Sequence, residues 1–264
     1  MALAAFPYAE RPLNFGHRGA SAVAPENTLA AFRKAREMGA DGVELDVMLC
    51  ADGEVVVRHD YTLERTTNGH GRVLDLTLAQ VKELDAGSWF GAEFAGEPVP
   101  TLREVAEWTA DRSFTSRQTR MLLNIELKSV SVAGSALEER VIGIVREYRL
   151  ADLVVLSSFN PFALWRVRRL APELHTGLLY AGDLPIYLRR AWLRPLARPA
   201  ALHPKHDIVT DPCLRWARRK GYRVNVWTVD DVADLQRLIA QRVDMVITNR
   251  PDVLTVALAQ QRLR

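Results

Sequence analysis

Eight runs rich in β-branched and aliphatic residues recur from one end of the chain to the other. They are Leu13–His17, Gly42–Leu49, Met121–Lys128, Leu153–Ser157, Leu174–Tyr180, Asp207–Thr210, Tyr222–Val229 and Val243–Thr248. Amphipathic helical runs lie between most of them: Thr28–Met38, Leu102–Ala110, Leu137–Tyr148, Pro161–Leu170, Cys213–Lys220 and Val232–Ala240. Strands that alternate with helices predict βαβ units and a parallel sheet. Eight units within 264 residues predict an α/β fold of one kind, a closed (β/α)8 TIM barrel, ahead of an open doubly wound sheet. No stretch reads as a linker, so residues 1–264 are expected to form a single domain.

One interval breaks the rhythm. Val47–His59 reads as a hairpin, with Asp52-Gly53 as the turn and Val55-Val56-Val57 as the returning strand. Residues 60–100 are then too long for a plain strand-to-helix loop and are expected as an insertion after the second strand, over one barrel end. Loops at the C-terminal end of a barrel carry its chemistry, so the insertion is a candidate wall of the site.

Composition narrows the classes. Hydrophobic residues make up 48% and charged residues 25%, which excludes a disordered chain, a collagen-like fibre and a coiled coil. No apolar run is long enough for a membrane span. The start, Met1-Ala2-Leu3-Ala4-Ala5-Phe6-Pro7, lacks the basic region of a secretory signal. Cys50 and Cys213 are too few for a disulfide framework, and a cytoplasmic location is expected. Between Ala163 and Lys220, ten Arg and two Lys face four acids. Such an excess suits an anionic substrate, a membrane surface or solvated helix faces, and the last is favoured.

The strand period locates the chemistry. In Gly42-Val43-Glu44-Leu45-Asp46-Val47, the apolar residues share one face, and Glu44 and Asp46 share the other. In Leu123-Asn124-Ile125-Glu126-Leu127-Lys128, Asn124, Glu126 and Lys128 form the polar face. If the apolar faces meet helices, three carboxylates converge in the barrel mouth. Buried like charges are costly unless a cation or a shared proton relieves them. A hard divalent cation, Mg²⁺ or Ca²⁺, with Mn²⁺ as a further choice, suits these oxygen donors. The competing explanations are a carboxylate pair that caps an Arg, and a metal-free Glu126–Lys128 ion pair. His17 and His59 end strands at the same barrel end and suit a general acid and base. Arg18, beside His17, is a fork for phosphate oxygens. Trp227 is expected on an inward face, against substrate or closing the barrel top. His203, before the sixth expected strand, is placed as a lining residue of the mouth. Glu26 and Asn27 are expected to hold the Arg18 loop.

The ordered set His17-Arg18-Gly19, Pro25-Glu26-Asn27-Thr28, Glu44-Leu45-Asp46-Val47, Asp52-Gly53, His59-Asp60, Leu63-Glu64-Arg65-Thr66-Thr67, Pro100-Thr101-Leu102 and Asn124-Ile125-Glu126-Leu127-Lys128 resembles glycerophosphodiester phosphodiesterases. Val226-Trp227-Thr228-Val229 and Val246-Ile247-Thr248-Asn249-Arg250-Pro251 extend the resemblance almost to the end of the chain. It implies a TIM barrel with an insertion after strand two and one divalent cation on Glu44, Asp46 and Glu126. It also implies His17 and His59 as the acid/base pair, and phosphate contacts from Arg18 and Lys128. The chain departs from the family at Asn249, where Asp is frequent.

The activity implied is hydrolysis of a small glycerophosphodiester to sn-glycerol 3-phosphate and an alcohol, in lipid and glycerol metabolism. Two rivals stand beside it. One is a lysophospholipase D that acts on acylated substrates with peripheral membrane contact, where the basic stretch Tyr187–Arg198 would touch lipid. The other is a non-catalytic barrel that binds glycerol phosphates. No nucleic-acid-reading motif is present, and no signal fixes an oligomeric state.

Overall fold

The computed structural model describes residues 6–111, 120–129, 131–132, 134, 136–189 and 191–262. Its strands are β1 (Leu13–His17), β2 (Gly42–Leu49), β3 (Val55–Val57), β4 (Leu122–Leu127), β5 (Val154–Ser158), β6 (His175–Tyr180), β7 (Ala201–Pro204), β8 (Arg223–Val226) and β9 (Met245–Thr248). All except β3 are parallel and follow one another round a ring, and β9 pairs with β1 to close it. Helices between the strands cover the outside, as a (β/α)8 TIM barrel requires. β3 returns antiparallel on β2, with Met48 opposite Val56, and stays outside the ring.

Pairing places the acids at one height. Glu44 lies opposite His17 on one side and Asn124 on the other, and Asp46 lies opposite Glu126. Val43, Leu45, Val47, Leu123, Ile125 and Leu127 are buried in the layer shared with the helices. The helix Leu29–Glu37 shows how the sequence sets an element. Thr28 caps it by accepting from the Ala31 N–H, and Ala31, Phe32 and Ala35 form its buried face. The lower barrel end is filled by Phe15, which needs a glycine opposite: a Cβ on Gly42 would lie 2.5 Å from the Phe15 ring.

After β3 the excursion builds a small core of its own from Met48, Cys50, Val56, Leu63, Val73, Val81, Ala86 and Val99. A short helix, Leu78–Lys82, and two single 3-10 turns give it shape.

The sixth ring strand departs from expectation. It is β7, Ala201–Pro204, and Asp207–Thr210 is not a strand. His206–Ile208 forms a 3-10 turn, and Thr210 caps the helix Asp211–Arg219 by accepting from Cys213. Pro204 is tolerated because it ends β7 and needs only its carbonyl, which accepts from the Trp227 N–H at 3.2 Å. The same shift moves His203. It lies inside the strand, wholly buried, with Nε2 2.9 Å from the Asn225 side-chain amide. It packs on Gly177, where a Cβ would fall 2.1 Å from His203 Nε2. His203 is therefore a packed barrel residue with no surface at the mouth. Gly177→Ala should cost about 1–3 kcal/mol in chemical denaturation through overpacking. Wild-type stability in that variant would mean that the His203 ring is free to move aside.

Candidate active site

Three backbone segments meet at the C-terminal ends of β1, β2 and β4. The first is the turn after β1. Arg18 has φ +55° and Asn27 has φ +59°, both in the left-handed region that side chains other than Asn, Asp and Gly seldom adopt. This turn aims the Arg18 N–H at Glu44 Oε2, 3.0 Å away, and its guanidinium at Glu26 and Asp46, 2.9 and 3.4 Å away. Asn27 locks the loop. Its amide donates to Asp46 Oδ2 at 2.9 Å and accepts from the Asp46 N–H at 3.2 Å.

β2 and β4 supply the acids. Oxygens of Glu44, Asp46 and Glu126 lie within 4.8 Å of one another, and all three residues lie deep in the barrel mouth. Lys128 binds two of them, Glu126 at 2.9 Å and Asp46 at 3.2 Å. Thus the Glu126–Lys128 pair does form, but Lys128 does not reach Glu44, which is held by the Arg18 N–H. Burial, with Asp46 and Glu126 nearby, raises Glu44 well above the ordinary carboxylate range. Burial and Asp46 push Glu126 up to about 7. Burial also acts on Asp46, but Lys128 and Arg18 outweigh it and hold that group low.

A further positive charge beside these two acids would lower both of them. Asn124 Oδ1 and Ser157 Oγ line the same cavity, buried and without a hydrogen-bond partner among the described residues. The donor set is all oxygen. These residues fit a hard divalent cation. In chelated protein Glu126 keeps this raised pKa. Its folded-state value lies above the unfolded one, so its contribution is present below about 4.5 and is lost as pH rises through about 7. Glu126→Gln should therefore gain stability on the wild type as pH rises from about 4.5 to about 7, measured as a difference in denaturation midpoints. A constant difference would mean that Glu126 titrates normally.

Both mouth histidines are held by their Nδ1 atoms. His17 Nδ1 lies 2.8 Å from Asn249 Oδ1, and His59 Nδ1 lies 2.6 Å from Asp60 Oδ1. Burial and the Arg18 charge push His17 down to about 4, and burial lowers His59. Behind Asp60, Arg65 binds it at 2.5 Å and reaches Glu26 with two hydrogen bonds of 2.9 and 2.6 Å. The insertion thus begins as a brace between the two histidine loops.

These groups surround a cavity of about 240 Å³, lined by His17, Arg18, Glu44, His59, Glu126 and Trp227 among others. Trp227 meets Phe159 edge-on at 5.6 Å and donates from Nε1 to the His203 carbonyl. A second, apolar cavity of about 640 Å³ adjoins it, sharing His59, Glu126 and Phe159 and including Val132, Phe162 and Leu193.

Asp60, Arg65, Phe159 and Asp230, which accepts from the Asn249 side-chain amide, have no role in the sequence reading. Asp60 and Arg65 stand beside quoted residues, so adjacency to His59 was a usable signal. Asp230 and Phe159 carry no local signature. Of the basic stretch, Arg190 and the Tyr187 side chain lie outside the described residues. Arg194 stacks on Trp216 at 4.9 Å, Arg189 is exposed, and Trp192 is half exposed.

A family model described as the glycerophosphoryl diester phosphodiesterase family matches residues 17–253. A glycerophosphodiester phosphodiesterase of Caldanaerobacter subterraneus subsp. tengcongensis is 43% identical over 245 residues, covering 92% of this chain and 96% of that one. A glycerophosphodiester phosphodiesterase of Bacillus subtilis is 33% identical over 259 residues, with 92% and 85% covered. Among solved structures, an Oleispira antarctica phosphodiesterase in complex with the product sn-glycerol-3-phosphate superposes with a TM-score of 0.83. It is 33% identical, with 94% of this chain and 97% of that chain covered.

Proposed function

The chain belongs to the glycerophosphoryl diester phosphodiesterase family, and on that premise we propose that it hydrolyses small glycerophosphodiesters to sn-glycerol 3-phosphate and an alcohol. The observation that carries this reading is the buried carboxylate cluster with an oriented imidazole at either side. Glu44, Asp46 and Glu126 would hold one divalent cation, Mg²⁺, Ca²⁺ or Mn²⁺. When bound, such an ion neutralises charge on the phosphoryl oxygens.

The remaining work falls to the chain. Arg18 and Lys128 present fixed positive charge to the phosphate, and their own pairs with Glu26, Asp46 and Glu126 hold them in place. With Nδ1 occupied, each histidine keeps Nε2 for the cavity. One takes a proton from the nucleophile, which is water or the substrate's own 2-hydroxyl, and the other gives a proton to the leaving alkoxide. Trp227 and Phe159 offer apolar faces to the glycerol carbons. Cytoplasmic placement is supported by two cysteines that are both unpaired, and no described helix is long and apolar enough to cross a membrane.

A lysophospholipase D reading has one observation in its favour, the apolar cavity beside the polar one, which has room for a hydrocarbon chain. A competition assay separates the two. Glycerophosphocholine and lysophosphatidylcholine are supplied together, the latter on anionic vesicles at low and high salt. The expected result is the higher kcat/KM for glycerophosphocholine with little effect of vesicles. A preference for the acylated substrate that is lost at high salt, or on replacing Arg189, Arg190 and Arg194, would assign the basic stretch to lipid docking instead.

A further inference from the structure

Asn249 follows β9 at the barrel mouth, and both ends of its side-chain amide are committed. Nδ2 donates to Asp230 Oδ2 at 2.5 Å. The Asn249 N–H and the Thr248 hydroxyl both donate to Asp230 Oδ1, at 2.8 and 2.9 Å. An ionised carboxylate has no hydrogen to give, so the NH2 end of the amide must face Asp230. The oxygen end is turned the other way, 2.6 Å from Ser21 Oγ and 2.8 Å from His17 Nδ1. The Ala22 N–H also donates to the Asn249 carbonyl at 3.2 Å, which ties the loop after β1 to the same residue.

An amide oxygen only accepts, so the hydrogen between Asn249 and His17 belongs to His17 Nδ1. We propose that Asn249, itself oriented by Asp230, is a positioning residue that fixes His17 as its Nδ1–H tautomer and reserves the Nε2 lone pair for the cavity. Nε2 is the nitrogen nearest Glu44, 4.0 Å from Oε2. The other tautomer would set a lone pair of Nδ1 against lone pairs of Asn249 Oδ1 at hydrogen-bond distance. The device differs from the one at His59, which rests on a carboxylate that accepts with either oxygen. An amide has one accepting end, so its value to His17 depends on what holds the other end. The proposal rests on the reading in which His17 exchanges a proton with substrate, and it adds Asp230, a residue that lies beyond Asn249 from the imidazole.

The test reads the tautomer by two-bond ¹H–¹⁵N correlation on protein labelled at its histidine rings, near neutral pH. His17 is assigned by the signal lost in His17→Ala. The wild type should show Nδ1–H. Asp230→Asn removes the anchor without touching His17 and should shift the ring toward a mixture. It should lower kcat roughly 10–10³-fold, within the worth of one correctly poised general acid or base, and leave KM within about twofold. The double variant Asp230→Asn/Asn249→Asp exchanges the two groups, so the amide donates from position 230 and the carboxylate accepts from His17. It should restore both the tautomer and most of kcat. Nε2–H in the wild type overturns the proposal by itself, even if a variant fails to fold. So does an Asp230→Asn protein with the wild-type tautomer, or an exchanged pair that does not recover it. The spectrum needs no turnover: a wild type that shows Nδ1–H but hydrolyses no diester would sink the functional reading and leave the tautomer assignment standing.

Discussion

His17→Ala and His59→Ala should each lower kcat by roughly 10²–10⁴-fold, the usual worth of one general acid or base. The effect should fall on kcat, because neither imidazole is placed as a phosphate-binding charge: Arg18 and Lys128 fill that role. Folding should survive, since His17 ends β1 and His59 lies just beyond β3, outside the packed middle of the barrel. A nitrophenyl ester leaves without a proton, so it should rescue whichever variant has lost the acid and not the other. Steady-state kinetics on both substrates make the check. If neither variant slows tenfold on the natural diester, the two histidines are structural and the chemistry lies elsewhere.

Removing one carboxylate should be harsher still. Glu44→Gln and Glu126→Gln each take a charged oxygen donor from a three-donor cluster, and both should lose stoichiometric metal binding in calorimetric titration and fall to background turnover. Asp46→Asn should add a folding defect. Asp46 is buried against Arg18 and Lys128, and breaking a buried pair from one side costs about 3–5 kcal/mol. Tight binding of one metal equivalent in Glu126→Gln would place the cation on other ligands.

The barrel and its acidic cluster were legible because strand side chains alternate whatever the tertiary context. Glu44 with Asp46, and Glu126 with Lys128, had to share faces once those runs were strands, and the hairpin was fixed by Asp52-Gly53 between two apolar runs. β7 was not legible. Ala201-Leu202-His203-Pro204 is four residues long, ends in a strand breaker and follows an Arg-rich stretch, whereas Ile208-Val209-Thr210 has stronger β-propensity. Ring closure decides between them, through β6 and β8 on either side. The misplacement of His203 followed from that choice. The groups behind the histidines were hidden for another reason. Asn249 and His17 are 232 residues apart and meet only because β9 closes on β1. Asp230 lies one step further away, and polar residues beyond a strand end carry no period. Phe159 falls between the expected strand Leu153–Ser157 and the expected helix Pro161–Leu170, and Phe162 lies in that helix's first turn, so the apolar cavity they line has no trace in the linear pattern.

The most direct measurement is a product analysis on protein freed of metal. Glycerophosphocholine is incubated with the chelated protein, then with Mg²⁺, Ca²⁺ or Mn²⁺ added back, and free choline and sn-glycerol 3-phosphate are quantified beside elemental analysis. The expected result is no hydrolysis without metal, and equal release of choline and sn-glycerol 3-phosphate once one of the ions returns. Full turnover in excess EDTA, with no metal found in the protein, would contradict it.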